Sequence, residues 1–137
     1  HERSSAASDV YKRQNSPHLV SSTKKDSENE IPLSSQIWDR IIFDMGQVIS
    51  HAKGTGKNAD PAIQGAKIYG KTGTAENPHG EDHAWFIGWV EYEEKKFSIV
   101  VLLENSGSGG AIAAPLAKNV FDKIILGINN SKQISMK

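Results

Sequence analysis

The sequence predicts an α+β domain in which a three-stranded antiparallel meander has one helix before it and one after it. Apolar residues recur at three-to-four spacing between residues 37 and 49 and again between residues 112 and 124, which is typical of amphipathic helices. Between these two stretches stand three strand-like segments joined by short polar turns. A chain of 137 residues has room for one modest domain at most.

The first helix is predicted from residue 35, with Ser34 or Ser35 as its N-cap. Gly46 lowers the helix propensity near its middle. Its apolar positions are Ile37, Trp38, Ile41, Ile42, Met45, Val48 and Ile49. Residues 51–64 contain two glycines, an asparagine, an aspartate and a proline, so this stretch is predicted to be a loop.

The three strands are predicted at residues 66–74, 83–92 and 97–104, with turns at 76–82 and 93–96. Because the third strand is almost entirely apolar, it is expected to be buried on both faces. A Gly/Ser-rich loop follows at residues 105–110, and then a closing helix with an apolar stripe. That stripe consists of Ile112, Leu116, Val120 and Ile124.

Composition excludes several classes of function. Sixteen basic residues balance sixteen acidic ones, which argues against a nucleic-acid-binding protein or a membrane-surface polyelectrolyte. The longest apolar run, Ile99–Leu103, is far too short to cross a bilayer. The chain has no cysteine, so neither disulfides nor thiol chemistry is available.

The segment that carries chemistry is Lys71-Thr72-Gly73-Thr74 at the end of the first strand. Alternation along a strand places Lys71 and Gly73 on one face and the two threonines on the other. Lysine supplies a positive charge, threonine hydroxyls donate to carboxylates, and glycine lets another backbone approach closely. These features predict a strand edge that binds an anionic ligand. The alternative is a strand that merely ends in a turn.

The surrounding sequence resembles a known family. Lys71–Ala75, Asn77–His83 and Ala84–Gly88 together resemble the third active-site motif of penicillin-binding transpeptidases. The likeness is greatest to the class B enzymes of the penicillin-binding protein 2 type, which serve cell elongation, and it extends from about Ser16 to Gly127. The resemblance implies the C-terminal part of a penicillin-binding transpeptidase, or serine β-lactamase-like, domain.

In the resembled family, a serine attacks a D-alanyl-D-alanine stem peptide, and the amine of a second peptide resolves the acyl-enzyme. The resemblance implies catalytic roles for Lys71, whose positive charge would serve the substrate's terminal carboxylate and the proton relay around the serines, and for Thr74, whose backbone N–H is an oxyanion-hole donor. Thr72, Gly73 and Ala75 would contact the substrate. Peptidoglycan stem peptides and β-lactams are the implied ligands, without a cofactor, a metal or a nucleic acid.

The resemblance also implies a location and further partners. The full-length protein would be anchored in the inner membrane of a bacterium, with this domain on the periplasmic, extracytoplasmic side of the cell envelope. Elongation-complex membrane proteins would be its partners there. The anchor is not contained in the present sequence.

The nucleophile is expected upstream of this sequence. The family uses a Ser-x-x-Lys pair and a Ser-x-Asn element. Ser21–Lys25 contains two Ser-x-x-Lys matches, but the segment is polar throughout. A nucleophilic serine and its lysine must lie one helical turn apart on a buried helix. Ser27–Asn29 lies in the same polar loop. We therefore interpret neither as catalytic.

These observations divide the chain into three segments. Residues 4–14 resemble an in-frame translation of a sequencing adapter, so residues 1–14 are interpreted as an adapter-derived artefact. Residues 15–128 are the C-terminal part of a transpeptidase domain, and residues 129–137 are a polar tail.

Other readings of the chain have their own sequence features. His79, Asp82 and His83 lie within one turn, but no further cysteine or paired histidine completes a tetrahedral metal site. A class D-like β-lactamase or β-lactam sensor shares the Lys-Thr-Gly strand and a Trp-rich next strand. A non-catalytic peptide-binding module would also use an exposed strand edge, although three strands and two helices bury both sheet faces poorly.

Overall fold

The computed structural model describes residues 13–14 and 29–135, and the chain divides into two compact units, residues 1–41 and 42–137. In the first unit, β1 (Arg13–Gln14) pairs antiparallel with β2 (Asn29–Glu30). The segment interpreted as adapter-derived lies outside the described residues except for Arg13 and Gln14, and the Ser21–Lys25 loop lies outside them entirely.

The first helix, α1, spans Ser35–Ser50, as predicted from its apolar period. Its N-cap is Ser34, whose Oγ accepts a hydrogen bond from the backbone N–H of Ile37 at 3.4 Å. The helix continues through Gly46. A Cβ atom added to Gly46 would lie 3.5 Å from the ring of Tyr69, an ordinary contact distance. This glycine therefore costs helix propensity without being required by packing.

The sheet confirms the predicted meander. Strands β3 (Lys67–Ala75), β4 (His83–Tyr92) and β5 (Lys95–Leu103) lie in the order β3-β4-β5, and each neighbouring pair is antiparallel. The β4–β5 turn is tighter than the four residues predicted. It consists of Glu93 and Glu94, whose φ values of +49° and +63° are those of a two-residue hairpin turn.

The core lies between the sheet and the closing helix. After β5, a π-helical turn at Gly109–Ala113 leads into α2 (Ala114–Ser135). Phe86 of β4 and Phe121 of α2 are both fully buried in one hydrophobic cluster, and burial of such a side chain contributes about 1.5–3 kcal/mol. The polar residues 129–135 continue α2, so most of the predicted tail is helical.

The prediction that the third strand is buried on both faces is wrong. Val101 of β5 is 7% exposed and faces the core, whereas its neighbours Val100 and Leu102 are 68% and 42% exposed. Successive side chains of a strand point to opposite faces, so only one face of β5 is packed. Apolar composition showed what can be buried, but it could not show whether a second layer covers the strand.

Within residues 13–14 and 29–135, neither helix combines the length and apolar character that crossing a bilayer requires.

Candidate active site

The open edge of β3 forms one side of the candidate site. In the described sheet β3 pairs with β4 alone, so its other edge has no strand neighbour among the described residues. The strand alternates as predicted: Thr72 is 8% exposed and faces the packed side, while Lys71 is exposed on the opposite face. Thr74 and Ala75 end the strand and are exposed.

Each threonine hydroxyl on this strand has a partner from a different loop. Oγ1 of Thr72 lies 2.8 Å from Oγ1 of Thr55, in the loop between α1 and β3. Oγ1 of Thr74 accepts a hydrogen bond of 3.3 Å from the backbone N–H of Gly109, at the start of the π-helical turn. Two segments that are distant in sequence therefore meet at the two hydroxyls predicted to bind a ligand.

These segments enclose an open cleft of about 360 Å³. Four hydroxyl side chains line it, together with a cation and an amide: Thr55, Thr72, Thr74, Ser108, Lys57 and Asn58. Such a lining offers several hydrogen-bond donors and one positive charge, which suits a carboxylate. We name it the hydroxyl cleft.

Sequence reasoning found two of the four hydroxyls and missed Thr55 and Ser108. Thr55 stands between two glycines in a loop, and Ser108 stands in a Gly/Ser-rich one, so each resembled ordinary turn chemistry. The flanking glycines of Thr55 were the available signal. A Cβ atom on Gly54 would lie 2.3 Å from the carbonyl oxygen of Val48, and Gly56 is buried.

Lys71 lies apart from the hydroxyl cleft. Its Nζ donates to the backbone carbonyl oxygen of Thr72 at 2.6 Å, and its side chain is on the other face of β3. Tyr69, on that same face, stacks on Trp89 with ring centroids 4.8 Å apart. Burial, and secondarily the carboxylate of Glu91, raise the pKa of Tyr69. The strand therefore presents a cation on one face and hydroxyls on the other.

Two glycines at the site have close neighbours where a Cβ atom would lie. A Cβ atom on Gly109 would lie 2.2 Å from the carbonyl oxygen of Gly73 and 2.4 Å from that of Trp85, so the turn rests directly on β3 and β4. A Cβ atom on Gly73 would lie 3.2 Å from Cβ of Trp85, its cross-strand partner. The sheet itself thus favours a small residue at position 73.

Of the three residues considered above for a metal site, His83 at the start of β4 has a side-chain hydrogen bond, and Asp82 has hydrogen bonds to its backbone. Nδ1 of His83 accepts a hydrogen bond of 3.0 Å from the backbone N–H of Asn105. The carbonyl oxygen of Asp82 accepts from the backbone N–H groups of Ser106 and Gly107. Among the residues that the structure describes, no cluster of three or more His, Cys, Asp or Glu side chains could hold a metal ion.

Sequence comparison places these residues in a known family. The family model described as penicillin binding protein transpeptidase domain matches residues 3–122. The chain is 36% identical over 100 residues to the peptidoglycan D,D-transpeptidase MrdA of Haemophilus influenzae, an alignment that covers 62% of this chain and 15% of that protein. It is 40% identical over 77 residues to the peptidoglycan D,D-transpeptidase PbpA of Mycobacterium tuberculosis, covering 48% of this chain and 15% of the relative.

Solved structures show the same fold. Pseudomonas aeruginosa PBP2 in complex with WCK 5153 aligns with a TM-score of 0.60 and 32% identity, over 72% of this chain and 22% of that one. Penicillin-binding protein A of M. tuberculosis, solved as an imipenem acyl-enzyme complex, aligns with a TM-score of 0.57 and 31% identity, over 76% and 22% of the two chains. The chain thus spans less than a quarter of the length of these proteins.

Proposed function

This chain belongs to the penicillin-binding protein transpeptidase family, and we propose that it is the C-terminal part of a peptidoglycan D,D-transpeptidase of the penicillin-binding protein 2 type. The observation that carries the proposal is the hydroxyl cleft beside the open edge of β3. A peptide that adds to this edge as a further strand could place its terminal carboxylate near the hydroxyls of Thr72 and Thr74.

The proposed reaction is acyl transfer through a serine supplied by a segment that precedes this sequence. The serine oxygen bonds to the carbonyl carbon of the penultimate D-alanine, and its proton goes through a base to the departing amine of the last D-alanine as the C–N bond breaks. The amine of a second stem peptide then attacks the ester, forms the cross-link and returns the proton to the serine. A β-lactam would acylate the same serine by opening its ring.

The residues of β3 take different parts in this reaction. By the family resemblance, the backbone N–H of Thr74 donates to the oxyanion, and such a donor contributes about 3 kcal/mol of transition-state stabilisation. Lys71, on the face opposite the hydroxyl cleft, supplies positive charge to the proton relay around the serine. Gly73 and Ala75 leave room for the substrate backbone along the strand.

The names of the relatives favour this function over a β-lactamase, a sensor or a non-catalytic binding module. The curated relatives are peptidoglycan D,D-transpeptidases. One structural relative was solved as an acyl-enzyme with the β-lactam imipenem, which supports β-lactams as ligands of this chain. Peptidoglycan cross-linking would place the complete protein on the periplasmic side of the bacterial inner membrane, with elongation-complex membrane proteins as partners.

The test is covalent labelling of the complete protein that carries this sequence. A fluorescent penicillin should add to it stoichiometrically, and intact mass followed by peptide mapping should locate the adduct on a serine that precedes residue 15. Incubation with a pentapeptide donor and an amine acceptor should yield the transpeptidation product. Rapid release of hydrolysed penicillin with no cross-linked product would instead indicate a β-lactamase, and no adduct at all would contradict acyl-transfer chemistry.

A further inference from the structure

The hydroxyl of Thr55 is in direct contact with a second hydroxyl of the cleft, that of Thr72. The two Oγ1 atoms lie 2.8 Å apart. Thr72 is 8% exposed, whereas Thr55 is exposed at the cleft. A hydroxyl carries one proton and can accept further hydrogen bonds. Either oxygen can therefore be the donor in this pair while the cleft is empty.

A carboxylate in the cleft would remove that freedom. An ionised carboxylate only accepts hydrogen bonds, so Thr72 can donate to it only if Thr72 does not also donate to Thr55. Thr55 must then be the donor and Thr72 the acceptor. Building on the function proposed above, we propose that Thr55 is a positioning residue, which directs the single proton of Thr72 toward the carboxylate of the substrate or β-lactam.

The loop holds Thr55 in place from both sides. The N–H of Gly54 donates to the carbonyl oxygen of His51 at 2.8 Å, and the N–H of Gly56 donates to that of Val48 at 3.0 Å. Nδ2 of Asn58 donates to the carbonyl oxygen of Gly110 at 3.0 Å, which joins this loop to the π-helical turn. A Cβ atom on Gly110 would lie 2.5 Å from the carbonyl oxygen of Thr55. Thr55 is thus fixed by its backbone before any ligand arrives.

The hydroxyl of Thr74 is held in a similar way to that of Thr72. Its Oγ1 accepts from the N–H of Gly109, which leaves its own proton available. With Thr55 donating to Thr72, both strand hydroxyls can direct one proton each into the cleft. A carboxylate has two oxygens to receive them, and Lys57 lines the same cleft with a positive charge. Charge-assisted hydrogen bonds of this kind are about twice as strong as neutral ones.

The experiment compares two ligands and two substitutions in the complete protein that carries this sequence. Thr55→Val keeps the shape of the side chain and removes the hydroxyl, while Thr55→Ser keeps the hydroxyl. The ligands are a penicillin with its free carboxylate and the methyl ester of the same penicillin. We expect Thr55→Val to lower the second-order acylation rate of the free acid about tenfold and to change that of the ester less than about twofold. Thr55→Ser should retain the wild-type preference for the acid.

Several results would overturn the inference. Equal losses for acid and ester in Thr55→Val would show a general structural effect, which a fall in melting temperature would reveal independently. Unchanged acylation by both ligands would show that Thr55 does not act on Thr72. Ser98→Ala, which removes an exposed hydroxyl on β5, is the matched control and should affect neither ligand. If the wild-type protein reacts with neither ligand, the proposed function fails, and this inference fails with it.

Discussion

The backbone N–H of Asn105 donates a hydrogen bond to Nδ1 of His83 across 3.0 Å. This bond joins the start of β4 to the loop that follows β5. Nδ2 of Asn77 adds a second link, because it donates to Oδ1 of Asn105. Asn105 itself has a φ of +50°, a left-handed conformation that asparagine tolerates better than most residues. The same loop leads to Gly109, whose N–H donates to Oγ1 of Thr74. His83 therefore helps to position one wall of the hydroxyl cleft.

Replacement of His83 should show whether the hydrogen bond accepted by its Nδ1 stabilises the protein. His83→Leu removes the acceptor and should lower the free energy of unfolding by about 1 kcal/mol. His83→Asn can offer a side-chain oxygen close to the position of Nδ1, so it should recover most of that loss. Urea denaturation of the complete protein measures both values. Equal destabilisation by leucine and asparagine would show that ring packing, and not the hydrogen bond, is what His83 supplies.

Gly109 should tolerate no side chain. In Gly109→Ala the new Cβ would overlap two backbone carbonyl oxygens, those of Gly73 and Trp85, and backbone atoms cannot move aside as a flexible side chain can. We expect a loss of about 1–3 kcal/mol in the free energy of unfolding. Penicillin acylation should also slow, because the hydrogen bond from Gly109 to Thr74 would be displaced.

The same substitution at Gly127 is the control for Gly109. Gly127 lies in α2, and nothing stands within 4 Å of where its Cβ would be. Gly127→Ala should therefore stabilise the protein by about 0.5–1 kcal/mol, because glycine is the poorer helix former. Thermal unfolding of the two variants should move in opposite directions. A stabilising Gly109→Ala would contradict the close approach of the turn to β3.

Sequence alone predicted the order of the elements because their signals are local. The apolar period of α1 and the polar turn between β3 and β4 are each contained in a few consecutive residues. The contacts that form the cleft are not local in the sequence. Thr55 contacts Thr72, which is 17 residues away, and Gly109 contacts Thr74, which is 35 residues away. Such contacts depend on the conformation of the loops, which cannot be predicted from the residue types within one loop. The family resemblance likewise identified the β3 motif and left these loop partners unassigned.

Lys71→Ala should impair acylation much more than stability. The side chain is exposed, and the bond from its Nζ goes to the backbone carbonyl oxygen of Thr72, so little packing is lost. We expect acylation by penicillin and by peptide to fall about a hundredfold or more. The free energy of unfolding should stay within about 0.5 kcal/mol of the wild type.

Lys67 offers a matched control for Lys71. It is exposed on the same strand, four residues earlier and therefore on the same face. Lys67→Ala should leave acylation unchanged. Stopped-flow acylation rates and melting curves of the two variants in the complete protein provide the comparison. Comparable acylation by Lys71→Ala and the wild type would remove Lys71 from the proposed mechanism.

Gly73→Val should abolish penicillin binding. A branched side chain on the open β3 strand would stand where the substrate backbone is proposed to lie. The sheet adds a cost, since even a Cβ atom would lie 3.2 Å from Cβ of Trp85. Gly73→Ala separates the two effects, because it keeps that close contact while adding one methyl group. We expect alanine to bind weakly and valine not at all, with both variants folded by circular dichroism. Normal binding by Gly73→Val would contradict the strand-docking arrangement.

The chain of residues 15–137 by itself should not be acylated by a β-lactam. In the proposed function its β3 strand would supply carboxylate-binding hydroxyls and one oxyanion donor, whereas the nucleophile would come from a preceding segment. Ser21–Lys25 is polar throughout and is followed by charged residues, a composition that does not predict the buried setting needed to lower the pKa of a lysine and activate a hydroxyl. Incubation with a fluorescent penicillin followed by intact mass should therefore show no adduct. Stoichiometric acylation at Ser21 or Ser22 would overturn both the upstream nucleophile and the dismissal of that loop.

The same chain should also associate through the open face of its sheet. Ile87, Val100 and Leu102 share that face and are 45%, 68% and 42% exposed, and an apolar patch of this kind favours aggregation. Replacing Val100 and Leu102 together by lysine should raise the soluble, monomeric fraction in size-exclusion chromatography. Val101→Lys, one position along and facing the core, should instead unfold the chain, because it would bury an unpaired charge. If all these variants aggregate to the same extent as the wild-type chain, the open face is not the cause of association.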